Sequence, residues 1–79
     1  MKISEFLKQE RQKRYLTQEQ MAKKLGVNRT TYATYENGWV DNTGRKSVPS
    51  SRVALKIAKL TRCSKTFINE LIENERKEK

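Results

Sequence analysis

The amino-acid sequence predicts a single all-α domain of five short helices, with one long loop between the third and the fourth. Apolar residues recur every three or four positions in five separate segments, which is the spacing of one face of an α-helix. Thr17, Asn28 and Ser64 stand before three of these segments and are favoured helix caps. With 79 residues, of which 34% are hydrophobic, the chain can bury one modest core, so residues 1–79 are interpreted as one domain.

The first helix is predicted over residues 3–14 and the second over residues 17–25. The apolar stripe of the first helix consists of Ile3, Phe6 and Leu7. The start of the second helix is set by Thr17 and Gln20, whose spacing is that of a capping box, in which two side chains satisfy each other's exposed backbone N–H groups. Gly26 follows this helix and can adopt the left-handed conformation that ends helices.

The third helix is predicted over residues 28–37, with Asn28 as its cap. A turn of about four residues separates it from the second helix, and two short helices joined in this way are typical of a helix-turn-helix motif. Tyr32 and Tyr35 lie on its apolar side. Their helical spacing favours a role in the core over a stacking platform for single-stranded bases.

The remaining segments are a loop, two helices and a tail. Residues 38–48 hold two of the three glycines together with Asp-Asn-Thr, which predicts an exposed loop that Pro49 closes. The fourth helix is predicted over residues 50–60, and the fifth begins after the cap candidate Ser64. The charged residues 73–79 are expected to fray as a tail.

The charge of the chain indicates a partner made of phosphates. It carries 18 Lys and Arg against 9 Asp and Glu, a net charge of +9, and its pI is near 10.0. Residues 1–66 hold 15 of these basic residues and 5 of the acidic ones, whereas residues 67–79 hold 3 and 4. The last 13 residues are therefore not expected to form the nucleic-acid surface.

Several classes of protein are excluded by what the sequence lacks. Cys63 is the single cysteine and there is no histidine, so we expect no disulfide, no zinc site and no Cys/His catalytic pair. Without clustered carboxylates there is no candidate catalytic base or nucleophile, so an enzyme is not expected. No run of about 18 apolar residues and no secretory signal is present, which predicts a cytoplasmic protein without a membrane span. We also expect no cofactor and no small-molecule ligand.

The segment LTQEQMAKKLGVNRTTYATYENG, followed by P-S-x-x-x-A-L-K-I-A, resembles the five-helix DNA-binding domain of the Cro/phage-repressor (XRE) family. The resemblance covers about residues 3–72, and its specific parts are T-Q-x-x-x-A-x-x-x-G and Y-E-N-G. The chain departs from the family at two places. The loop between the third and fourth helices is longer than usual, with residues 39–47 as an apparent insertion, and Glu10 stands where the family tends to have a leucine.

In a helix-turn-helix, the start of the second helix of the motif enters the major groove, and its exposed side chains touch base edges. The resemblance places Arg29, Thr30 and Thr34 in this role. The Arg29 guanidinium can donate two parallel hydrogen bonds to guanine, whereas the threonines can offer a hydroxyl or a methyl group. A solvated or phosphate-bound Arg29 and threonines that are simply surface residues are the alternatives.

The candidate phosphate contacts are Gln18, Asn28, Thr31, Asn37, Arg45 and Lys46. The resemblance implies that Gln18, at the start of the second helix, binds a phosphate and also supports the first side chain that contacts a base. Asn28 and Asn37 are equally well explained as helix caps, and the two roles are compatible. Arg45 and Lys46 would add sequence-independent affinity if the loop lies beside the DNA, and would otherwise only make the loop soluble.

The resemblance also implies an ion pair between Arg11 and Glu36, which would tie the first helix to the end of the third. This pair would be structural. Trp39 has three possible roles at this stage: it covers the end of the third helix, it contacts a second subunit, or it anchors the loop.

The sequence is therefore interpreted as a double-stranded DNA-binding transcriptional regulator of phage or mobile-element repressor type. One domain reads only half a site, so we expect a homodimer that is weak in solution, stronger on DNA, and bound to a pseudo-palindrome. The fifth helix has more apolar residues than a small core needs, which makes part of it a candidate dimer interface. These residues are Phe67, Ile68, Leu71 and Ile72. The alternative is an antitoxin-like module that also binds a partner protein through this helix and the tail.

Overall fold

The computed structural model describes residues 1–39 and 49–77, and these residues form five α-helices and no strand. The helices are α1 (Ile3–Lys13), α2 (Gln18–Leu25), α3 (Arg29–Glu36), α4 (Ser51–Thr61) and α5 (Lys65–Lys77). The predicted all-α class is thus confirmed. Helix α2 packs against α3 and α4, α1 packs against α3 and α5, and α4 packs against α5.

The predicted caps account for where the helices begin. Thr17 Oγ1 accepts from the Gln20 N–H at 3.1 Å, and Gln20 Oε1 accepts from the Thr17 N–H at 2.9 Å, which completes the capping box of α2. Asn28 Oδ1 accepts from the Thr31 N–H at 2.7 Å at the start of α3. Helix α2 ends at Gly26, which has the predicted left-handed conformation with φ +74°.

The end of α5 differs from the prediction. Helix α5 continues to Lys77, through residues predicted from the sequence to form a charged tail, and the Glu75 side chain is docked at the start of α1. Glu75 Oε1 accepts from the Ser4 N–H at 3.1 Å and from the Ser4 hydroxyl at 2.6 Å. A carboxylate is favoured at a helix start, where backbone N–H groups have no partner within the helix.

The apolar side of α5 lies in the core and not on a free surface. Ile68, Leu71 and Ile72 are 0%, 3% and 7% exposed, because α5 turns this stripe towards α1 and α4. The expectation that these three residues form a dimer interface is therefore wrong. Phe67 alone of the four stays accessible, at 39% exposure, and its ring meets Phe6 edge-on with centroids 5.8 Å apart.

Glu10 is a buried carboxylate in a polar contact between α1 and α4. Its oxygens accept from Arg14 Nη1 at 2.6 Å and from Lys13 Nζ at 3.2 Å. The Arg14 guanidinium also donates to the Leu60 carbonyl at the end of α4, at 3.2 Å. Burial raises the pKa of Glu10, but the hydrogen bonds from Arg14 and Lys13 outweigh burial, so this pKa is lowered overall. The residue that departs from the family's leucine thus holds Arg14, and Arg14 makes the contact to the end of α4.

Trp39 is a core residue just after the end of α3. It is 1% exposed, its N–H donates to the Thr34 carbonyl at 2.8 Å, and it has the left-handed backbone angle φ +73°. Its indole N–H is buried and has no hydrogen-bond partner in the described part of the chain. Of the three roles open from the sequence, the structure supports the first, since Trp39 covers the end of α3.

Tyr15 has a left-handed backbone, with φ +56°, although its side chain is 94% exposed and buries almost nothing. A left-handed conformation costs a residue with a Cβ roughly 1–2 kcal/mol. Glycine avoids this cost, but part of the gain is offset because glycine loses more conformational freedom on folding. We therefore expect Tyr15→Gly to raise the free energy of unfolding by about 0.5–1 kcal/mol in urea titrations. Tyr15→Ala keeps the Cβ and should leave stability unchanged; a Tyr15→Gly variant that is less stable than the wild type would contradict this explanation.

Candidate nucleic-acid interface

Helices α2 and α3 form the two arms of a helix-turn-helix, with residues 26–28 as the turn between them. The turn is short because Gly26 ends α2 and Asn28 already caps α3. Met21 and Leu25 on α2 and Tyr32 on α3 are buried between the arms and the rest of the core. The core role predicted for this aromatic side chain is what the structure shows.

A buried carboxylate network holds α3 against α1 and α2. Glu36, whose side chain is 3% exposed, accepts from Arg11 Nε at 2.7 Å and from Arg11 Nη2 at 3.3 Å. Arg11 Nη1 donates to the Leu16 carbonyl at 3.0 Å, just before α2. The ion pair implied by the resemblance is therefore present in the structure.

Gln18 belongs to the same network. Its Nε2 donates to Glu36 Oε1 at 3.2 Å, which joins the first turn of α2 to the last turn of α3. Burial raises the pKa of Glu36, but hydrogen bonds, the strongest from Arg11, more than compensate, so its pKa is lowered and the carboxylate stays charged. The hydrogen bond to Glu36 uses one amide hydrogen of Gln18 and leaves its second amide hydrogen and its oxygen available. The Gln18 side chain can therefore contact a phosphate while Glu36 fixes its position.

Two of the three predicted base contacts are exposed. Arg29 and Thr30 lie in the first turn of α3, on its solvent side. Thr34 does not share this surface: it is 6% exposed, and its hydroxyl donates to the Thr30 carbonyl at 3.0 Å. A base edge cannot reach a hydroxyl that is both buried and bonded within its own helix, so Thr34 is a structural residue in this conformation.

The predicted phosphate contacts lie at helix ends. Asn28 and Asn37 are exposed caps at the two ends of α3, and Thr31 is half-buried in its first turn. Gln18 is half-buried at the start of α2. The remaining two, Arg45 and Lys46, lie outside the described residues.

Lys56 on α4 is a cation that the helix-turn-helix motif does not include. A Cβ placed on Gly26 would lie 2.5 Å from Lys56 Nζ, so this ammonium group sits against the turn between α2 and α3. A sequence signal does exist, since residues 42–69 contain seven Lys and Arg and no acidic residue. The resemblance did not single out Lys56, because the contacts carried over from it lie in the motif and in the loop after α3.

A helix-turn-helix whose reading helix is exposed at its first turn, in a strongly basic chain, defines a DNA-binding domain. A helix-turn-helix family model matches residues 7–68, which is more than half of the chain. The protein therefore belongs to the XRE family of helix-turn-helix proteins and is a DNA-binding transcription regulator whose ligand is double-stranded DNA.

Comparison with curated proteins and with solved structures gave no significant match. Within residues 1–39 and 49–77, none of the helices combines the length and the apolar character needed to cross a membrane. The same residues contain no group of three or more Cys, Asp or Glu side chains placed to hold a metal ion.

Proposed function

We propose that the protein reads a specific duplex sequence by inserting the first turn of α3 into the major groove, with Arg29 and Thr30 on the base edges. The observation that carries this proposal is the contrast between the two ends of α3. Arg29 and Thr30 are exposed, whereas Glu36 at the other end of the helix is held by Arg11 and Gln18. A rigidly held helix with free side chains at its first turn meets the geometric demand of direct readout.

The phosphates on either side of the groove are bound by residues at the helix ends. Gln18 and the free N–H groups at the start of α2 suit one phosphate, because a helix start attracts anions. Asn28, Thr31 and Asn37 can donate side-chain hydrogen bonds along α3, since the Asn28 contact to Thr31 uses only its acceptor oxygen. These contacts position the protein and carry no sequence information themselves.

The biological role we propose is that of a repressor of phage or mobile-element type, acting as a dimer on a pseudo-palindromic operator. Two copies related by a two-fold axis would present two α3 helices to successive major grooves, so the operator would have matching symmetry. Phe67, the one accessible aromatic residue of α5, is the apolar side chain that a second copy would cover. A small contact of this kind fits a dimer that forms mainly on DNA.

Arg29→Ala tests the reading role. An arginine that donates two hydrogen bonds to guanine contributes roughly 1–3 kcal/mol of discrimination at one base pair. We therefore expect the variant to bind the operator about 5–150-fold more weakly, with random DNA bound almost as before. Fluorescence anisotropy with both duplexes measures the two affinities.

The matched control is Lys8→Ala, which removes an exposed cation from α1. It should change operator and random DNA binding equally and slightly. If Arg29→Ala weakened both duplexes by the same factor, Arg29 would be a phosphate contact and the reading role would pass to another residue.

A further inference from the structure

Helix α4 carries an exposed basic face that the helix-turn-helix motif does not account for. Arg52, Lys56 and Lys59 follow one another at intervals of four and three residues, which places them on one side of the helix. All three are exposed, and none forms an ion pair with a carboxylate of the described residues. We refer to these three residues as the α4 basic face.

The α4 basic face adjoins the turn that leads into the reading helix. Lys56 Nζ lies against Gly26, which is only three residues before Arg29. Arg52 and Lys59 lie about 6 Å and 4.5 Å from Lys56 along the helix axis. The face therefore spans roughly 10 Å along α4, with Lys56, its middle member, at the turn before α3. This length of roughly 10 Å matches about three nucleotides of one strand.

Gln18 lies at the other end of α3, where it is bonded to Glu36. The two ends of α3 are thus flanked by different groups. Gln18 lies at its last turn, and Lys56 lies at the loop that joins α2 to α3. A helix lying in the major groove has one sugar-phosphate strand on each side.

We propose that the α4 basic face binds phosphates of the duplex that flanks the reading helix at its start, so that the DNA contact surface extends beyond the motif onto α4. This inference rests on the proposed placement of α3 in the major groove. We assign DNA phosphate and not an acidic protein as the ligand, because Lys56 adjoins Gly26, three residues before Arg29, which the proposed function places on DNA. Lysine and arginine at such a position neutralise phosphates and release counterions, which makes the affinity fall more steeply with salt.

The test compares two variants of equal charge. Arg52→Gln with Lys56→Gln removes two cations of the α4 basic face, and Lys8→Gln with Lys65→Gln removes two exposed cations from α1 and α5. We expect the α4 variant to lower the slope of log K against log salt by about 1–2 units, since each neutralised phosphate contributes about 0.9. Operator and random DNA should weaken by the same factor, and the control variant should change the slope by less than about 0.5.

Phosphate ethylation interference on the operator locates the contact. With the wild-type protein we expect interference at phosphates beyond the half-site on the side of the α3 start, and loss of that interference in the α4 variant. Circular dichroism and urea unfolding of both variants check that the exposed substitutions leave the fold intact.

An α4 variant with an unchanged salt slope and an unchanged interference pattern would overturn the inference, and would leave α4 as a surface for an acidic protein. If the wild-type protein showed no preference for any duplex, the proposed reading function would itself fail. The two failures are therefore distinguishable, because only the second removes specific binding by the wild type.

Discussion

Arg11→Met is expected to lower the free energy of unfolding by about 3–5 kcal/mol, the usual result of removing one partner from a buried ion pair. The Glu36 side chain is 3% exposed, so without Arg11 its charge would be buried, with Gln18 and Tyr32 as the polar side chains left beside it among the described residues. A domain of this length has a stability of roughly 4–12 kcal/mol, so the variant should lose a large fraction of it. Urea unfolding followed by circular dichroism measures the difference.

The matched control is Lys13→Met on the same helix. Lys13 also pairs with a glutamate, but its side chain is 71% exposed, and ion pairs of this kind contribute little. We expect a change within about 0.5 kcal/mol. Equal losses in the two variants would show that the Arg11–Glu36 pair has no special structural role.

The pH dependence of the Arg11→Met variant gives an independent readout. In the wild type the pKa of Glu36 is lowered below 4.5, so its contribution to stability is complete above that pH and is lost as the pH falls through the lowered pKa. In the variant, burial without Arg11 should raise the pKa of Glu36, and protonation on acidification should then favour the folded state. The difference in stability between the two proteins should therefore narrow as the pH falls from 7 to about 4. A difference that stays constant over this range would contradict the charge-based explanation.

Trp39→Ala is expected to lower the free energy of unfolding by about 3–5 kcal/mol, as for other large aromatic residues truncated in a core. Trp39 is 1% exposed and is the largest of the fully buried side chains. Trp39→Phe is the informative control, because it keeps an aromatic ring and removes the buried indole N–H, which has no hydrogen-bond partner among residues 1–39 and 49–77. An unpartnered buried donor costs about 1–3 kcal/mol, so Trp39→Phe should lose clearly less stability than Trp39→Ala. Equal losses in the two variants would mean that the ring does not fill the core as the structure shows.

The sequence predicted the helix starts well because these depend on local chemistry. Thr17 and Asn28 each satisfy a backbone N–H within three residues of themselves, so their effect can be read without knowing the tertiary structure. The end of α2 was equally predictable, since Gly26 needs a left-handed backbone that few other residues adopt. The overall class and the position of the reading helix follow from these three signals.

The tertiary contacts of α5 could not be predicted in the same way. Glu75 reads as part of a solvated tail, and only the fold brings it to Ser4, 71 positions away. Ile68 and Leu71 would have the same spacing whether they faced the core or a second subunit. Helical periodicity identifies an apolar face but does not show what packs against it. Thr34 is a similar case, since helical spacing places it near Thr30 but does not reveal that its hydroxyl bonds to the Thr30 carbonyl.

The central claim is that α3 reads a specific duplex sequence, and selection of bound sequences from a random double-stranded DNA pool tests it most directly. The proposal predicts that successive rounds enrich one motif with approximate two-fold symmetry, containing a guanine in each half that the Arg29→Ala variant no longer selects. Enrichment of an asymmetric motif would contradict the dimer, with α3 still in the groove. A pool that stays random after selection with the wild-type protein would contradict sequence-specific reading altogether.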